Sequence, residues 1–459
     1  MTSDSFFDLD IGTIIEGYRN QTLHPTKVAD ICIRQVQKLD PSLAAWVCFD
    51  PKYLMREADL SDNRITHGLP IRDLEGIPIG IKDIMNTKDF QTEMGSPIWH
   101  GFTPGNDARV VYNLSQNGAI IPGKTATAEF AVHTLAKTKN PHDFLLTPGT
   151  SSSGSAVAVA SGMVLAAIGT QTAGSIIRPA SFCGIYGCKP SFGLIPRTGI
   201  LKTTDSLDTV GFFVLHLKDI TRVFNAIRVH GPDYPISHAA LSDKKKQVKN
   251  PDRPWRVGFT KTHVWDNAEE YAKDAIITWV DTISEDENIE ISEVTLPEVT
   301  ESAHKIHASI YNKTLAHYFS EEYKKKELVS SIMRELIEDG MHISADQFQD
   351  ALVQQTEIAR VIDTLFMDYD IIISLSTAGA APRREQVEKP DPALLWNMAH
   401  LPVVSAPVFK SSDKLPFGAQ ITSRRYHDLL LFSFCDYLAS QDYIPKTSNP
   451  SLQGMRFPS

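Results

Sequence analysis

Strand-like and helix-like segments alternate along this chain. In EGIPIGIKD, at 75–83, Ile77, Ile79 and Ile81 fall on one face, and this spacing predicts a β-strand. Strand patterns recur at 255–259, 370–376, 401–408 and 416–422, and helical periodicity occurs at 25–39, 107–118 and 303–340 and in YHDLLLFSFCDYLA. This order of elements predicts an α/β fold, in which a large mixed, twisted β-sheet is flanked by helices on both sides.

The ends of two helices are marked by residue types that favour those positions. Asp107 stands where its carboxylate would cap the first backbone N–H groups of the 107–118 helix, and Gly118 follows the end of that helix. In the same way, Gly340 predicts the end of the 303–340 helical stretch.

Composition and charge restrict the class of protein. The chain has 459 residues, of which 42% are hydrophobic and 22% charged, as in a globular protein with a substantial core. Its formal net charge of −10 argues against nucleic acid as the main partner. The lysine-rich run at 243–254 is short and has no aromatic residues beside it, so we interpret it as a solvated linker.

Neither the N-terminus nor the cysteine content indicates export. The first residues, MTSDSFFDLDIGTIIEG, lack a basic start followed by an apolar run, so we expect no signal peptide. No stretch reaches the ~18–20 apolar residues that a membrane span needs. The five cysteines argue against a disulfide framework, and Cys183 and Cys188 lack the spacing of a zinc site. We therefore expect buried thiols and a reducing cytoplasm.

The segment GAIIPGKT, at 118–125, matches the phosphate-loop pattern G-x-x-x-x-G-K-[ST]. A working phosphate loop follows a strand and begins a helix, whereas here a helix precedes Gly118 and the next residues are strand-like. Strand amides point into the sheet and cannot converge on a phosphate, and Pro122 has no N–H. We therefore expect a strand and a turn, and we do not expect Lys124 to bind a nucleotide.

Residues 147–199 are dense in Gly, Ser, Ala and Thr and contain two serine-bearing turns, PGTSSSGS at 148–155 and GTQTAGSIIRP at 169–179. Small residues suit tight turns and close approach of backbones. Composition alone leaves two interpretations open. The segment either lets a helix and a strand pack closely, or it brings reactive hydroxyl groups and backbone N–H groups next to a ligand.

The order of residues in these turns is more specific than their composition. GIPIGIKD, PGTSSSGSA and GTQTAGSIIRPASFCGIYGCKPS together resemble the amidase signature family of serine hydrolases, over about residues 25–215 and more weakly to the C-terminus. The resemblance implies a Ser–Ser–Lys triad, with Ser175 as nucleophile, Ser151 as bridging serine after a cis peptide, and Lys82 as base. Burial of a lysine lowers its pKa, which such a base requires.

The resemblance also implies an oxyanion hole in the TAGS turn. Its candidate donors are the backbone N–H groups of Thr172, Ala173, Gly174 and Ser175. Two residues in or next to this turn differ from the commoner family motif, GTDTGGSIR. Gln171 replaces an acid and so alters one secondary polar contact, and Ala173 replaces a glycine, so its position must tolerate a Cβ.

Further departures and supporting residues flank the turns. The arginine of the motif comes one place later, at Arg178, and the usual SSGG reads Ser151–Ser152–Ser153–Gly154. Asp208 matches a family position that we interpret as support near the site. Glu129 is expected to start a helix, and His304 and His307, which lack the H-E-x-x-H pattern of a zinc site, are expected to have structural or surface roles.

The expected reaction is hydrolysis of a carboxylic amide to an acid and ammonia or an amine, without a metal or organic cofactor. We expect a small-molecule amide substrate, no nucleic acid, no membrane, and allow a homodimer. The alternatives are a glutamine-hydrolysing A-type subunit of a tRNA-dependent amidotransferase, which needs partner subunits, and a catalytically inactive binding protein on the same fold.

The expected organisation is one amidase domain over residues 1–459. Residues 25–215 would carry the catalytic core, and residues 216–459 would shape the substrate pocket. Its lining is expected from the regions 303–340 and 374–400, although which side chains face the substrate, and which amide it is, are not determined by the sequence.

Overall fold

The computed structural model describes residues 5–448. Its strands are β1 Trp46–Phe49, β2 Ile79–Lys82, β3 Gly123–Thr125, β4 Ala166–Gln171, β5 Tyr186–Lys189, β6 Thr209–Val214, β7 Trp255–Phe259, β8 Ile289–Glu293, β9 Ile371–Leu375, β10 Val403–Lys410 and β11 Pro416–Ser423. Its α-helices are α1 Ile11–Arg19, α2 Pro25–Leu43, α3 Pro51–Thr66, α4 Arg109–Gln116, α5 Ser153–Ala160, α6 Ile177–Cys183, α7 Asp219–Ile227, α8 Pro235–Ser242, α9 Lys244–Gln247, α10 Glu270–Ser284, α11 Ala303–Tyr318, α12 Ser320–Tyr323, α13 Ser331–His342, α14 Ala345–Leu365, α15 Ala393–Met398 and α16 Asp428–Ser440.

All of these strands form one eleven-stranded sheet, in the order β1-β3-β2-β4-β6-β5-β10-β11-β9-β7-β8. Parallel pairs lie near the two ends, where β2 pairs with β3 and β4, and β7 pairs with β8 and β9. The centre of the sheet is antiparallel, and β5 pairs there with β10 through Val403 and Lys189. The predicted mixed α/β sheet is confirmed, and the β5–β10 pair joins strands from the first and second halves of the chain.

The small-residue helix α5 lies inside the molecule, and all of its residues are buried. Gly154 is essential to this position, because a Cβ there would overlap the backbone of Ala45 and Ala126. Close packing therefore explains part of the Gly/Ser/Ala composition. It also places Ser152, just before α5, against β2 and β4, where it contacts Lys82 and Thr170.

Two of the expected helix boundaries are wrong. Helix α4 has Ala108 at its N-cap, while Asp107 accepts a hydrogen bond from the backbone N–H of Lys88 and so is engaged by a neighbouring loop. Gly340 lies inside α13 and does not end it. At this position a Cβ would overlap the carbonyl of Asn312 in α11, so the glycine allows the two helices to approach closely.

The phosphate-loop match folds as a turn and a strand. Gly118 has a φ of +92°. Strand β3 begins at Gly123, and all residues of this strand are buried. Lys124 Nζ lies 3.0 Å from Asp83 Oδ1 and donates to Thr92 Oγ1 at 2.8 Å. Lys124 thus has a buried carboxylate as its partner.

Among the described helices, none combines the length and the apolar character that crossing a bilayer requires. The five cysteines are free, and four of them are buried.

Candidate active site

Lys82 ends β2 and its side chain is completely buried. Its Nζ lies 2.7 Å from Ser151 Oγ, 3.0 Å from Ser152 Oγ and 3.0 Å from Thr170 Oγ1. Burial lowers the pKa of Lys82 to about 7, against a smaller opposing effect of the Asp208 carboxylate. Since its three contacts are hydroxyl groups, the amine can be neutral near neutral pH.

The hydroxyl groups around Lys82 have assignable roles. Ser152 Oγ donates to the carbonyl of Thr170 at 3.1 Å, so its oxygen is left to accept from Lys82. A neutral amine has two N–H donors and one lone pair, and Ser151 is therefore free to donate to that lone pair. The peptide between Thr150 and Ser151 is cis, as the family resemblance implied.

Ser175 lies in the turn between β4 and α6 and is 8% exposed. Its hydroxyl makes no hydrogen bond with a protein atom in the part of the chain that the structure describes. Of the three residues predicted as a triad, the structure thus brings Lys82 and Ser151 into direct contact. Ser175 stands in the adjacent turn, with its hydroxyl unengaged.

The turn at 172–175 keeps its backbone donors free. Within residues 5–448, no protein acceptor bonds the N–H groups of these four residues. Gln171 explains part of this geometry, because its Oε1 accepts from the backbone N–H groups of Ile176 and Ile177 at 2.9 and 3.0 Å. The amide oxygen fixes the start of α6, so the loss of the usual acid leaves a comparable acceptor in place.

Thr172 is anchored through its side chain and its carbonyl. Its Oγ1 donates to Asp208 Oδ1 at 2.8 Å, and Asp208 also accepts from the backbone N–H of Thr203. The Thr172 carbonyl accepts from Asn397 Nδ2 at 2.6 Å and from His307 Nε2 at 3.1 Å. The supporting role expected for Asp208 is consistent with these contacts, whereas the sequence did not indicate Asn397 as part of this site.

A buried charge cluster lies beside the turn. Arg178 forms ion pairs with Glu388 and, at 3.1 Å, with Asp391. Burial alone would lower the pKa of Arg178, but the two carboxylates raise it above its ordinary value. Asp391 also covers Gly174, where a Cβ would overlap the carboxylate. Gly174 is thus required by close approach of the loop that carries Asp391.

A cavity of about 680 Å³ opens next to these residues. Thr150 and Ala173 line it from the signature region, and Ala173 shows that this position accommodates a Cβ at the cavity wall. Further lining comes from α11, α13 and the 384–394 segment, in residues that include His304, His307, Tyr311, Ile332, Leu336 and Leu394. Both regions from which lining was expected contribute to the cavity.

The remaining candidates have structural contacts. Glu129 begins a short 3-10 turn and accepts from the backbone N–H of Ser330, at 3.2 Å to its Oε2. His304 Nδ1 lies 2.7 Å from His263 Nε2. In the described residues, no group of three or more His, Cys, Asp or Glu side chains has an arrangement that could hold a metal ion.

Comparison with known proteins gives a consistent result. A family model described as Amidase matches residues 27–432. The A-type subunit of the glutamyl-tRNA(Gln) amidotransferase of Heliobacterium modesticaldum is 31% identical over 393 residues, covering 78% of this chain and 79% of that protein. The protein of the same name from Sulfurihydrogenibium sp. is 29% identical, covering 89% and 92% of the two chains.

Solved structures share the fold. The peptide amidase of Stenotrophomonas maltophilia superimposes with a TM-score of 0.81 at 23% identity, covering 96% of this chain and 98% of that chain. The A-type subunit of the glutamyl-tRNA(Gln) amidotransferase of Thermotoga maritima gives a TM-score of 0.75 at 23% identity, with 94% of each chain covered.

These relatives correct one expectation from the sequence. The expectation of a small-molecule substrate without any nucleic-acid partner is contradicted, because the similar curated proteins are named as subunits of an amidotransferase for glutamyl-tRNA(Gln). The charge argument failed because net charge describes the surface of one chain. It does not report what the other subunits of an assembly bind.

Proposed function

The chain belongs to the amidase family, and from that premise we propose that it hydrolyses a carboxylic amide through an acyl-enzyme formed on Ser175. The observation that carries the proposal is the 2.7 Å contact between Lys82 Nζ and Ser151 Oγ. A serine hydroxyl is a weak nucleophile near pH 7 and needs a base within reach. Lys82, with a pKa lowered to about 7 by burial, is a base of suitable strength.

The reaction proceeds in two halves. Neutral Lys82 accepts the proton of Ser151 while Ser151 takes the proton of Ser175, and the Ser175 oxygen attacks the amide carbonyl. The tetrahedral intermediate collapses as the proton returns along the same route to the departing nitrogen, which leaves as ammonia or an amine. Water, activated by the same base, then attacks the acyl-enzyme and releases the acid.

Charge that develops on the carbonyl oxygen needs preorganised donors. We assign these to the backbone N–H groups of Thr172, Ala173, Gly174 and Ser175, and their lack of protein acceptors in the described residues supports the assignment. Loss of one such donor lowers kcat by roughly 10²–10³-fold in other enzymes. The small residues of this turn let its backbone reach the substrate carbonyl.

We further propose that the chain is the ammonia-releasing subunit of a tRNA-dependent amidotransferase, with glutamine as amide donor. The comparisons favour this alternative over a free-standing amidase, because the similar curated proteins carry that name and are covered over 79% to 92% of their length in the two cited cases. A net charge of −10 is compatible with this role if partner subunits hold the tRNA.

We also propose a single domain, in which residues 25–215 carry the catalytic groups and residues 216–459 shape the pocket. The shared sheet supports this, since β5 pairs with β10. The cavity supports it too, since Thr150 and Ala173 line the same cavity as Tyr311 and Leu394. Separate expression of 1–215 and 216–459 should give insoluble or unfolded products, whereas two independently folded halves would contradict the proposal.

The experiment for the subunit role uses the full chain, tagged in the organism that encodes it and purified under native conditions. We expect a stable complex with other subunits, which releases ammonia from L-glutamine and transfers it to glutamyl-tRNA(Gln). A matched preparation of Ser175→Ala should assemble equally and release no ammonia. If the chain is a monomer and hydrolyses amides as fast without partner subunits as with them, the subunit role is overturned and a free-standing amidase remains.

For the compartment, we propose reducing conditions such as those of the cytoplasm. All five cysteines are free thiols, and burial raises the pKa of Cys32, Cys183 and Cys435 above the ordinary thiol value, which makes them unreactive. Alkylation of the denatured protein without reductant should modify all five. Protection of a pair would contradict a reducing compartment.

A further inference from the structure

Two donors from the second half of the chain converge on one carbonyl of the oxyanion-binding turn. Asn397 Nδ2, from α15, donates to the Thr172 carbonyl at 2.6 Å, and His307 Nε2, from α11, lies 3.1 Å from the same oxygen. A carbonyl only accepts hydrogen bonds, so the Nε2 atom of His307 carries the proton. The carbonyl thereby receives two hydrogen bonds from side chains that lie 90 residues apart in the sequence.

The direction of this carbonyl determines the direction of the next N–H group. A trans peptide is planar, so the N–H of Ala173 points away from the side on which the Thr172 carbonyl lies. A flip of this peptide would bring the carbonyl oxygen to the place where the substrate oxygen becomes negative. Hydrogen bonds from Asn397 and His307 oppose that flip, and the bond from Thr172 Oγ1 to Asp208 holds the other side of the residue.

We infer that His307 and Asn397 are positioning residues that hold the Thr172–Ala173 peptide in the orientation that stabilises the oxyanion. The inference rests on the proposed function, because it requires acyl transfer at Ser175. Neither residue belongs to the signature region, and each acts through the turn.

Asn397 and His307 are both buried, which suits a positioning role. Asn397 is fully buried, and its Nδ2 also donates to the Leu207 carbonyl at 3.1 Å, which fixes the amide plane. His307 is 7% exposed, and burial lowers its pKa to about 4, so the ring is neutral and keeps its Nε2 proton at neutral pH. His307 also lines the cavity, whereas Asn397 does not. Asn397 can therefore be changed without removing a surface that substrate touches.

The test uses the full chain and p-nitrophenyl acetate, an activated ester with a small acyl group. The measured quantity is the rate constant for acylation of Ser175, followed by the p-nitrophenolate burst. His307→Phe keeps an aromatic ring and removes the donor, and His307→Gln retains an N–H group near the Nε2 position. Asn397→Asp keeps the shape and replaces the N–H group with an acceptor.

We expect His307→Phe and Asn397→Asp to lower the acylation rate constant at least about tenfold, with KM changed less than about threefold. His307→Gln should return to within about threefold of the wild-type rate constant, because it restores the hydrogen bond. A merely structural histidine would not show this rescue. A His307→Phe protein that acylates within about threefold of wild type, or a His307→Gln protein as slow as His307→Phe, would overturn the inference.

Two controls separate this inference from the proposed function and from misfolding. Stoichiometric labelling of Ser175 by a phosphonate, taken to completion, shows whether each variant retains a folded nucleophile. A wild-type chain that is never acylated on Ser175 would overturn the proposed function itself. If the wild-type chain is acylated, and the variants label completely and have an unchanged acylation rate constant, only the positioning role is overturned.

Discussion

Lys82 Nζ lies 2.7 Å from Ser151 Oγ, and its other contacts are also hydroxyl groups. Lys124, on the neighbouring strand, has instead a carboxylate partner, since its Nζ lies 3.0 Å from Asp83. The register explains the difference, because Lys124 is opposite Ile81 and Lys82 is opposite Thr125, so the two lysines point to opposite faces of the sheet. One buried amine is paired with a buried carboxylate, and the other contacts hydroxyl groups and is available as a base.

The first prediction concerns the pH dependence of the reaction. The base must be neutral, and burial lowers the pKa of Lys82 to about 7. Below this value the amine is protonated, so kcat/KM should fall about tenfold for each pH unit, and above it kcat/KM should level off. A profile measured between pH 5.5 and 9 checks this. A kcat/KM that stays constant down to pH 5.5 would exclude Lys82 as the base.

The second prediction separates the two buried lysines. Lys82→Met replaces an amine by an apolar chain of similar length, and ammonia release should fall by roughly 10⁴-fold or more. Stability should be unchanged or higher, because a lysine whose pKa falls from 10.5 to about 7 must give up its proton on folding at pH 8. Urea unfolding at pH 8 provides the second measurement.

Lys124→Met is the matched control for Lys82→Met. It leaves the carboxylate of Asp83 buried without its cation, so the free energy of unfolding should fall by about 3 kcal/mol. The folded fraction should retain its reactive Ser175. Loss of activity without loss of stability in Lys124→Met would show that we have exchanged the roles of the two lysines.

The third prediction concerns the approach of Asp391 to the turn at 172–175, which we propose as the oxyanion hole. Gly174→Ala places a Cβ where the Asp391 carboxylate lies, so the turn or the loop must shift. A displacement of about 1 Å at a reacting group costs on the order of 10² in rate, and we expect kcat to fall by about that factor. Ala173→Gly, at the cavity wall, is the neighbouring control and should stay within about tenfold of wild type. Equal activities in the two variants would contradict the close approach.

The fourth prediction concerns Gln171. Gln171→Leu removes the acceptor of the backbone N–H groups of Ile176 and Ile177 and leaves both donors buried, which should lower the free energy of unfolding by about 3 kcal/mol. Gln171→Glu retains an oxygen in the same place and should lose less stability. The two variants can be compared by urea unfolding. If Gln171→Leu is as stable as wild type, the amide does not fix the start of α6.

Local patterns predicted much of the fold. The alternation of Ile77, Ile79 and Ile81 indicated the strand that carries Lys82, and that strand is β2. Late strands at 370–376, 401–408 and 416–422 lie within one or two residues of β9, β10 and β11. β9 and β11 are buried at every position, and a short, continuous apolar run is the pattern expected of such strands.

Helix boundaries were harder to predict, because packing partners decide them. The 303–340 pattern continues through a break between α12 and α13, where the chain reverses so that α13 packs against α11. That contact requires a glycine at position 340. A glycine is also typical of a helix end, so the sequence alone did not distinguish the two. Similarly, Asp107 is engaged by the Lys88 backbone and not by its own helix.

The residues that hold the turn from outside the signature could not be assigned from one sequence. Asn397 lies 225 residues from Thr172, and only packing brings them together. A weak signal existed for His307, which is a polar residue on the buried stripe of α11 formed with Ala303, Ile310 and Thr314. A histidine in such a stripe requires a hydrogen-bond partner, but the sequence does not identify that partner.

The central claim is that Ser175 is the nucleophile of an amide hydrolase. It is tested most directly by treating the full chain with a serine-directed fluorophosphonate and locating the adduct by mass spectrometry. We predict one adduct per chain, on Ser175, absent in Ser175→Ala, with its formation slowed in Lys82→Met. No adduct, or an adduct on Ser151, Ser152 or Ser153 with Ser175 unmodified, would contradict the claim.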